Sequence, residues 1–285
     1  MNVTLSGSTG FIGQALSNKM SASGLTVRVI TRSSFGLSVE EFSRQFIEGA
    51  DVVVNLAGAP VAKRWSTAWK QEIMDSRVQT TRKIAEAILV ATQKPKVFIS
   101  GSAIGIYNNS MTHDESSSGF SDSFLAKVCM DWEAEAMKAA TATRVVIFRL
   151  GVVLGENGGA LQKMHLPFSI GLGGKLGTGK QAVSFIHLFD LTEAIMFAIN
   201  NSGIDGVVNA VSPVPSTNAE LTDKLAKVLH QPAWFTVPAF ALKIAYGEGA
   251  QVLLEGQTVM PDKLVQAGFR FKYPTIQNAL VAIYG

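Results

Sequence analysis

The chain has 285 residues, 47% of them hydrophobic and 16% charged, with a formal net charge of +3 at pH 7. That balance excludes a disordered chain, implies a well-covered buried sheet, and suits one large α/β unit carrying a smaller lobe. The positive charges are too few and too scattered for a nucleic-acid surface, while a single cysteine, Cys129, excludes an intramolecular disulfide and fits a reducing compartment, with core packing as its ordinary role.

In chain order, MNVTLSGSTG runs directly into an apolar stretch and a glycine turn, leaving no room for a signal peptide. The expectation is a cytoplasmic protein without a membrane span, because the most apolar late segment, 240–254, is interrupted by Lys243, Glu248 and Gln251. Strands are predicted at 3–5, 27–30, 52–56, 96–99, 144–148 and 206–209; their near-continuous apolar character implies burial on both faces, hence a parallel sheet with crossover helices. A helix from Ile12 to about Ser21 places Ile12, Leu16 and Met20 on one stripe, with Gly24 as its stop. The stretch 33–50 reads as helical where a third edge strand would be common, which thins the expected adenine wall. Asp122 is the expected cap of the next clear helix, and capping boxes are expected at Asp190/Glu193 and Thr217/Glu220.

These elements predict a Rossmann-type doubly wound parallel sheet with a smaller, mostly helical C-terminal substrate lobe. The expected division is 1–150 for the NADP-binding core, with 181–210 returning to it, and 151–180 plus 211–285 for the substrate side. Glycine-rich loops (GENGG, GLGGKLGTGK) and the Pro213–Pro215 step mark the transitions, and the loop lysines Lys175 and Lys180 and Phe168 lie where a lobe closes on a ligand.

The first chemical signal is GSTGFIG at 7–13, between a strand and a helix. Gly7 permits the tight turn, Gly10 the approach of a pyrophosphate and Gly13 close helix packing, while Thr9, Phe11 and Ile12 complete a helix N-terminus that presents N–H donors to phosphate. At the end of the second strand the chain reads ITRSS, with Arg32 where NAD binders carry an acid; an arginine there favours a 2'-phosphate, hence NADP(H). A plain solvated strand end is the bland alternative for Arg32.

With GSTGFIG, VNLAG (54–58), ISGSA (99–103) and SFLAK (123–127) in this order, the sequence resembles the extended short-chain dehydrogenase/reductase superfamily, and more closely its NADP-binding "epimerase family" branch, often described as sugar-nucleotide epimerases. The resemblance spans the whole chain through VNLAGAPVAKRW, DSRVQTTRKIAEAI, FRLGVVLGENGGAL and GTGKQAVSFIHLFD. It implies that Gly7, Gly10 and Gly13 hold phosphates, Arg32 the 2'-phosphate, and Leu56, Ala57 and Gly58 line the ribose and nicotinamide. Ser102 takes the place of the serine that contacts the substrate oxygen, and Lys127 that of the lysine holding the nicotinamide ribose.

Four residues before Lys127 the superfamily carries its proton-transferring tyrosine; here Ser123 stands there. Half-ionising a phenol of pKa ~10 at neutral pH takes roughly 4 kcal/mol, whereas a hydroxyl near water's ~15.7 would demand roughly 12 kcal/mol, so Ser123 needs a separate base. Tyr107 is the alternative proton donor, weighed against a structural role. Around the same cleft, His113, Asp114 and Glu115 read as a polar turn; His187 reads as structural; Arg149, Gln181, Arg77 and Trp65 are balanced between substrate contact and fold; and Trp132 and Glu133 read as helix packing and surface. No His or Cys cluster supplies metal ligands. Two functions follow: an NADP(H)-dependent oxidoreductase or epimerase acting on a small hydroxyl or carbonyl compound, possibly a nucleotide sugar, with an altered proton relay; or a non-catalytic NADPH-binding sensor that reports to a partner. The expected partner of the first is its small-molecule substrate, with a homodimer compatible.

Overall fold

The computed structural model describes residues 1–156 and 158–285. Six parallel strands form the main sheet: β1 (Asn2–Ser6), β2 (Thr26–Ile30), β3 (Val52–Asn55), β4 (Val97–Ala103), β5 (Arg144–Leu150) and β6 (Gly206–Ala210), in the order β6-β5-β4-β3-β1-β2. Each crossover is helical: α1 (Phe11–Ala22), α2 (Thr67–Val90), α3 (Phe124–Met137) and, before β6, α4 (Gly159–Ser169) and α5 (Leu188–Asn200).

Alternation along the strands builds two core layers, because successive side chains leave opposite faces of a sheet. Val52 and Val54 pack with Leu16, Met20, Leu191 and Ile195 under α1 and α5, whereas Val53 and Phe98 pack with Phe42, Ile84 and Ile88 under α2. A third cluster, including Leu154, Leu161, Phe185, Leu221 and Leu280, sits apart from the sheet and joins α4 to α6 (Asn218–Val228) and α8 (Ile276–Tyr284), with α7 (Ala239–Tyr246) lying between them in sequence.

Several local expectations hold. Gly24 follows α1 at φ +76°, a left-handed conformation that glycine adopts without a Cβ penalty. Thr217 and Glu220 form a reciprocal capping box. Between β2 and β3 the chain coils through Arg32–Gly36, Val39–Phe42 and Ser43–Ile47 without a strand, so β2 is the sheet edge, as the sequence suggested.

Three boundaries differ. β4 runs to Ala103, four residues past the expected end, so Ser102 lies within the strand. Ser123, not Asp122, caps α3: its Oγ accepts from Ala126 N at 3.2 Å. His187, not Asp190, caps α5, its Nδ1 accepting from Phe189 N at 3.0 Å. Asp190 is buried instead and accepts the backbone N–H groups of Lys272 and Tyr273 at 2.9 Å each, while Glu193 pairs with Lys19. A carboxylate three residues into a helix can reach backward or across, and the sequence alone does not say which.

Candidate cofactor and reaction site

The glycine turn is shaped by contacts that no side chain could share. Gly7 has φ +82°, and a Cβ there would lie 2.6–2.8 Å from the backbone of Leu56 and Ala57; one on Gly13 would lie 2.1 Å from Gly7 O. Gly10 caps α1 without any side-chain hydrogen bond and no acid stands in the first turn, so the first N–H groups of the helix lack side-chain acceptors. Behind them the buried Ser6 Oγ has no partner. Phe11 leans outward against the second half of the chain: Cβ atoms on Gly155, Gly158 or Gly159 would approach its ring to 2.9, 2.1 and 3.1 Å.

At the carboxyl end of β2, Thr31 Oγ1 lies 2.9 Å from both Ser33 Oγ and Ser34 Oγ, at the start of a short 3-10 turn. Arg32 beside them is 89% exposed and paired with Glu72 of α2 at 2.7 Å. Three clustered hydroxyls and an exposed guanidinium suit a phosphate monoester. Uncapped helix donors, a glycine-lined approach and this hydroxyl-arginine cradle together fit NADP(H).

The reaction end is organised by a buried ionic cluster. Ser102 Oγ donates to Glu133 Oε1 at 2.6 Å; Arg149 grips the same carboxylate through Nε to Oε1 (2.8 Å) and Nη2 to Oε2 (2.7 Å). Arg149 Nη1 also donates to Tyr107 OH at 2.7 Å, and that hydroxyl lies 3.0 Å from Asn209 Oδ1. Ser102, Glu133 and Arg149 are buried, and Tyr107 is completely so. Burial raises the Tyr107 phenol above its ordinary pKa against the opposing pull of Arg149. Tyr107 is therefore an interior strut and not a proton donor open to the cleft, and Arg149 resolves to an internal ion pair.

Helix phase places the remaining residues. Ser123 is a cap, and Lys127 is 67% exposed and paired with Asp131, one turn along on the same face. The α3 position facing the sheet is Cys129, which is buried beside Ser102 and Ala103; burial and the Glu133 charge push its thiol up to about 11. At about 100° per residue, Lys127 stands about 160° around the helix from Cys129. The structure thus brings Ser102 together with Glu133 and Cys129, and does not bring Ser123 or Lys127 to it. Glu133, read from sequence as packing or surface, was the missed residue; its spacing from Cys129 and Ala136 on the apolar stripe is the signal that marks it as inward.

The other candidates settle into the fold. His113 is buried and stacks on Tyr107 at 4.7 Å. Asp114 caps its own turn through Ser116, and Glu115 accepts from Asn209 N at 2.9 Å. His187 rests against Tyr273, and burial lowers its pKa to about 4, so the ring is neutral at pH 7. Trp65 donates to Val61 O and packs edge-on to Phe124. Phe168 is core; Lys175 and Lys180 are exposed. Gln181 ties Leu176 O to Leu253 O and lines a cavity of about 590 Å³, walled also by Thr178, Lys243, Glu248, Gln251 and Glu255. Among the described residues no cluster of three or more His, Cys, Asp or Glu is placed to hold a metal ion, and no helix is long and apolar enough to cross a membrane.

A parallel sheet of this order, with an uncapped glycine turn after its first strand, defines a dinucleotide-binding protein of the Rossmann class. More particularly, the chain belongs to the NAD dependent epimerase/dehydratase family, whose model matches residues 3–210; a model described as "Domain of unknown function (DUF1731)" matches residues 237–283. It is 41% identical over 99% of its length to the Arabidopsis thaliana "Epimerase family protein SDR39U1 homolog, chloroplastic", of which 86% is covered. It is 36% identical to "Epimerase family protein YfhF" of Bacillus subtilis, covering 98% of this chain and 97% of that one. Among solved structures, human epimerase family protein SDR39U1, crystallised with NADPH, superposes with a TM-score of 0.93 at 33% identity over 100% of this chain and 99% of that one. A UDP-glucuronic acid 4-epimerase from Bacillus cereus shares the fold, with a TM-score of 0.80 at 16% identity.

Proposed function

We propose that this protein is an NADP(H)-dependent oxidoreductase or epimerase acting on a small hydroxyl or carbonyl compound. The observation that carries the reading is the cradle of Thr31, Arg32, Ser33 and Ser34 beside the uncapped turn 7–13, which suits the 2'-phosphate and diphosphate of one dinucleotide. The human relative crystallised with NADPH supports the choice of cofactor. NADP(H) would supply hydride chemistry; Gly7, Gly10 and Gly13 with the N–H groups of Phe11 and Ile12 would hold its diphosphate, Arg32 its 2'-phosphate, and Leu56, Ala57 and Gly58 would flank its second half.

Proton handling falls to Ser102 and Glu133 in this reading. Substrate binding has to uncover Ser102, which is as buried as Tyr107; its hydroxyl hydrogen is committed to the Glu133 carboxylate, so its oxygen would accept from a substrate hydroxyl and pass that proton on to Glu133. Arg149 keeps Glu133 oriented. The cavity beside Gln181, with lysine and glutamate but not Ser102 on its wall, would hold the part of a small polar substrate away from the reacting group.

A second reading, a protein that binds NADPH without turnover, is favoured by one observation: Ser123 is spent as a helix cap and Tyr107 is sealed in the core. Loading the protein with NADPH deuterated at the transferable position and exposing it to a metabolite extract separates the two. Deuterium arriving in one compound with matching cofactor oxidation is the expected result. Tight NADPH binding, with no label transfer and no NADP⁺-started interconversion of any sugar nucleotide, would leave the binding protein.

A further inference from the structure

One side chain near the site is unlike the other arginines. Arg77 of α2 lies half-buried with its guanidinium against Gly58, where a Cβ would come within 2.9–3.2 Å of its Cζ, Nη2 and Nε. Its other face lies over the Trp132 ring at 5.4 Å. Two backbone carbonyls are its hydrogen-bond partners, Ile73 O at 3.1 Å and Ala59 O at 2.9 Å. A guanidinium has five N–H donors, so more than half of its capacity is unspent.

No carboxylate pairs with Arg77 among the described residues, whereas Arg32, Arg82 and Arg149 each hold a glutamate and the unpaired Arg28, Arg44, Arg64 and Arg270 are exposed. Arg144 also lacks an acid, but it spends its donors on Ala198, Ile199 and Ile204 carbonyls at the end of α5, where the helix dipole is negative. Arg77 has only Ile73 O and Ala59 O, and burial pulls its guanidinium below the usual range. Beside it, the buried indole N–H of Trp132 has no hydrogen-bond partner. A desolvated, uncompensated charge is expensive to keep in a fold.

The topology says what the charge faces. The 2'-phosphate cradle is at the end of β2 and the diphosphate turn at the end of β1; the sheet continues on the other side of β1 into β3 and β4. A dinucleotide anchored at those two points must lay its remaining half over the carboxyl ends of β3 and β4, where Gly58, Arg77, Trp132 and Ser102 converge. That half carries the nicotinamide ring, positively charged when oxidised and neutral when reduced.

We propose that Arg77 is the cation of the nicotinamide side, and that it makes this protein hold NADPH in preference to NADP⁺. It takes the place that sequence gave to Lys127, from a different helix. The inference rests on the cofactor reading above and adds the sign of its redox bias. At an effective dielectric of about 20, a unit charge even about 10 Å from a ring that changes by one charge would be worth roughly tenfold between the two forms.

The test is a pair of equilibrium titrations at fixed ionic strength, NADPH by its fluorescence and NADP⁺ by displacement, on the unmodified protein, Arg77→Met, Arg77→Lys and Arg32→Ala. The expected result is at least a tenfold preference for NADPH, kept in Arg77→Lys and reduced to threefold or less in Arg77→Met. Arg32→Ala weakens both forms alike and leaves the ratio where it was. Equal affinities for the two forms in the unmodified protein overturn the proposal, as does an unchanged ratio in Arg77→Met; Arg77→Gln replaces that variant if its thermal transition shows it unfolded. Failure of the unmodified protein to bind either nucleotide would instead remove the cofactor reading, and this inference with it.

Discussion

The two ends of the cleft are built on different principles. The cofactor end is made mostly of backbone, a left-handed glycine and an uncapped helix terminus, with exposed side-chain hydroxyls after a strand end. The other end, proposed to carry the reaction, is made of side chains locked to one another, from Ser102 through Glu133 and Arg149 to Tyr107 and Asn209. Backbone sites need particular residues at fixed positions and tolerate exposure. Locked side-chain sites depend on helix phase, and each member is only as useful as its partner.

That contrast is sharpest at Arg149. Removing a buried partner strands the other charge, so Arg149→Met is expected to destabilise the fold by about 3–5 kcal/mol in chemical denaturation. A loss below 1 kcal/mol would show that Glu133 is not held as an ion.

At the cofactor end the penalty belongs to binding and not to folding. Arg32→Ala is expected to cost about 1.5–3 kcal/mol of NADPH affinity, with NADH affinity and thermal stability unmoved, because a charge-assisted phosphate contact is lost from an exposed side chain. Glu72→Gln should act in reverse, releasing Arg32 from an exposed pair worth about 0.2–1 kcal/mol and tightening NADPH up to about fivefold. Equal NADPH and NADH affinities in the unmodified protein would break the comparison at its first term.

The helix that joins the two ends gives the smaller effects. Ser123→Ala should lower stability by about 1 kcal/mol, and Ser123→Asp should restore it, as befits an N-cap; activity lost in both with stability intact would return Ser123 to the chemistry. Smallest of all, Lys127→Ala is expected to change NADPH affinity less than twofold, since an exposed i,i+4 pair contributes about 0.3–0.5 kcal/mol to the helix alone. A tenfold loss in a titration would put Lys127 back at the ribose.

How far the sequence could be read follows the same division. The GSTGFIG turn was legible because strand, turn and helix follow one another within a few residues, and glycine identity reports backbone conformation directly. The missing third edge strand was legible too, since 33–50 lacks a β-branched run. SFLAK was misleading: its serine and lysine have a suitable spacing, but the apolar stripe through Ala126, Cys129 and Ala136 turns Lys127 to the solvent. Glu133 and Arg149 were in view without their connection, because a contact between a helix and a strand 16 residues apart is settled by packing that no local pattern encodes. Asp122 and Asp190 show the milder form of the same limit, where two polar residues compete for one cap and the backbone angle decides.

Phe11 closes the distance between the halves of the chain. It is the first residue of α1, whose N–H groups are assigned to the diphosphate, and its ring is also the floor on which Gly155, Gly158 and Gly159 rest with no room for a side chain. With the nucleotide on α1, as proposed, a second ligand that moved Gly158 or Gly159 would meet the same aromatic ring. Linkage makes such an arrangement reciprocal: by whatever factor the first ligand improves the binding of the second, the second improves the first, so the order of their arrival changes the rate of assembly and never its final free energy.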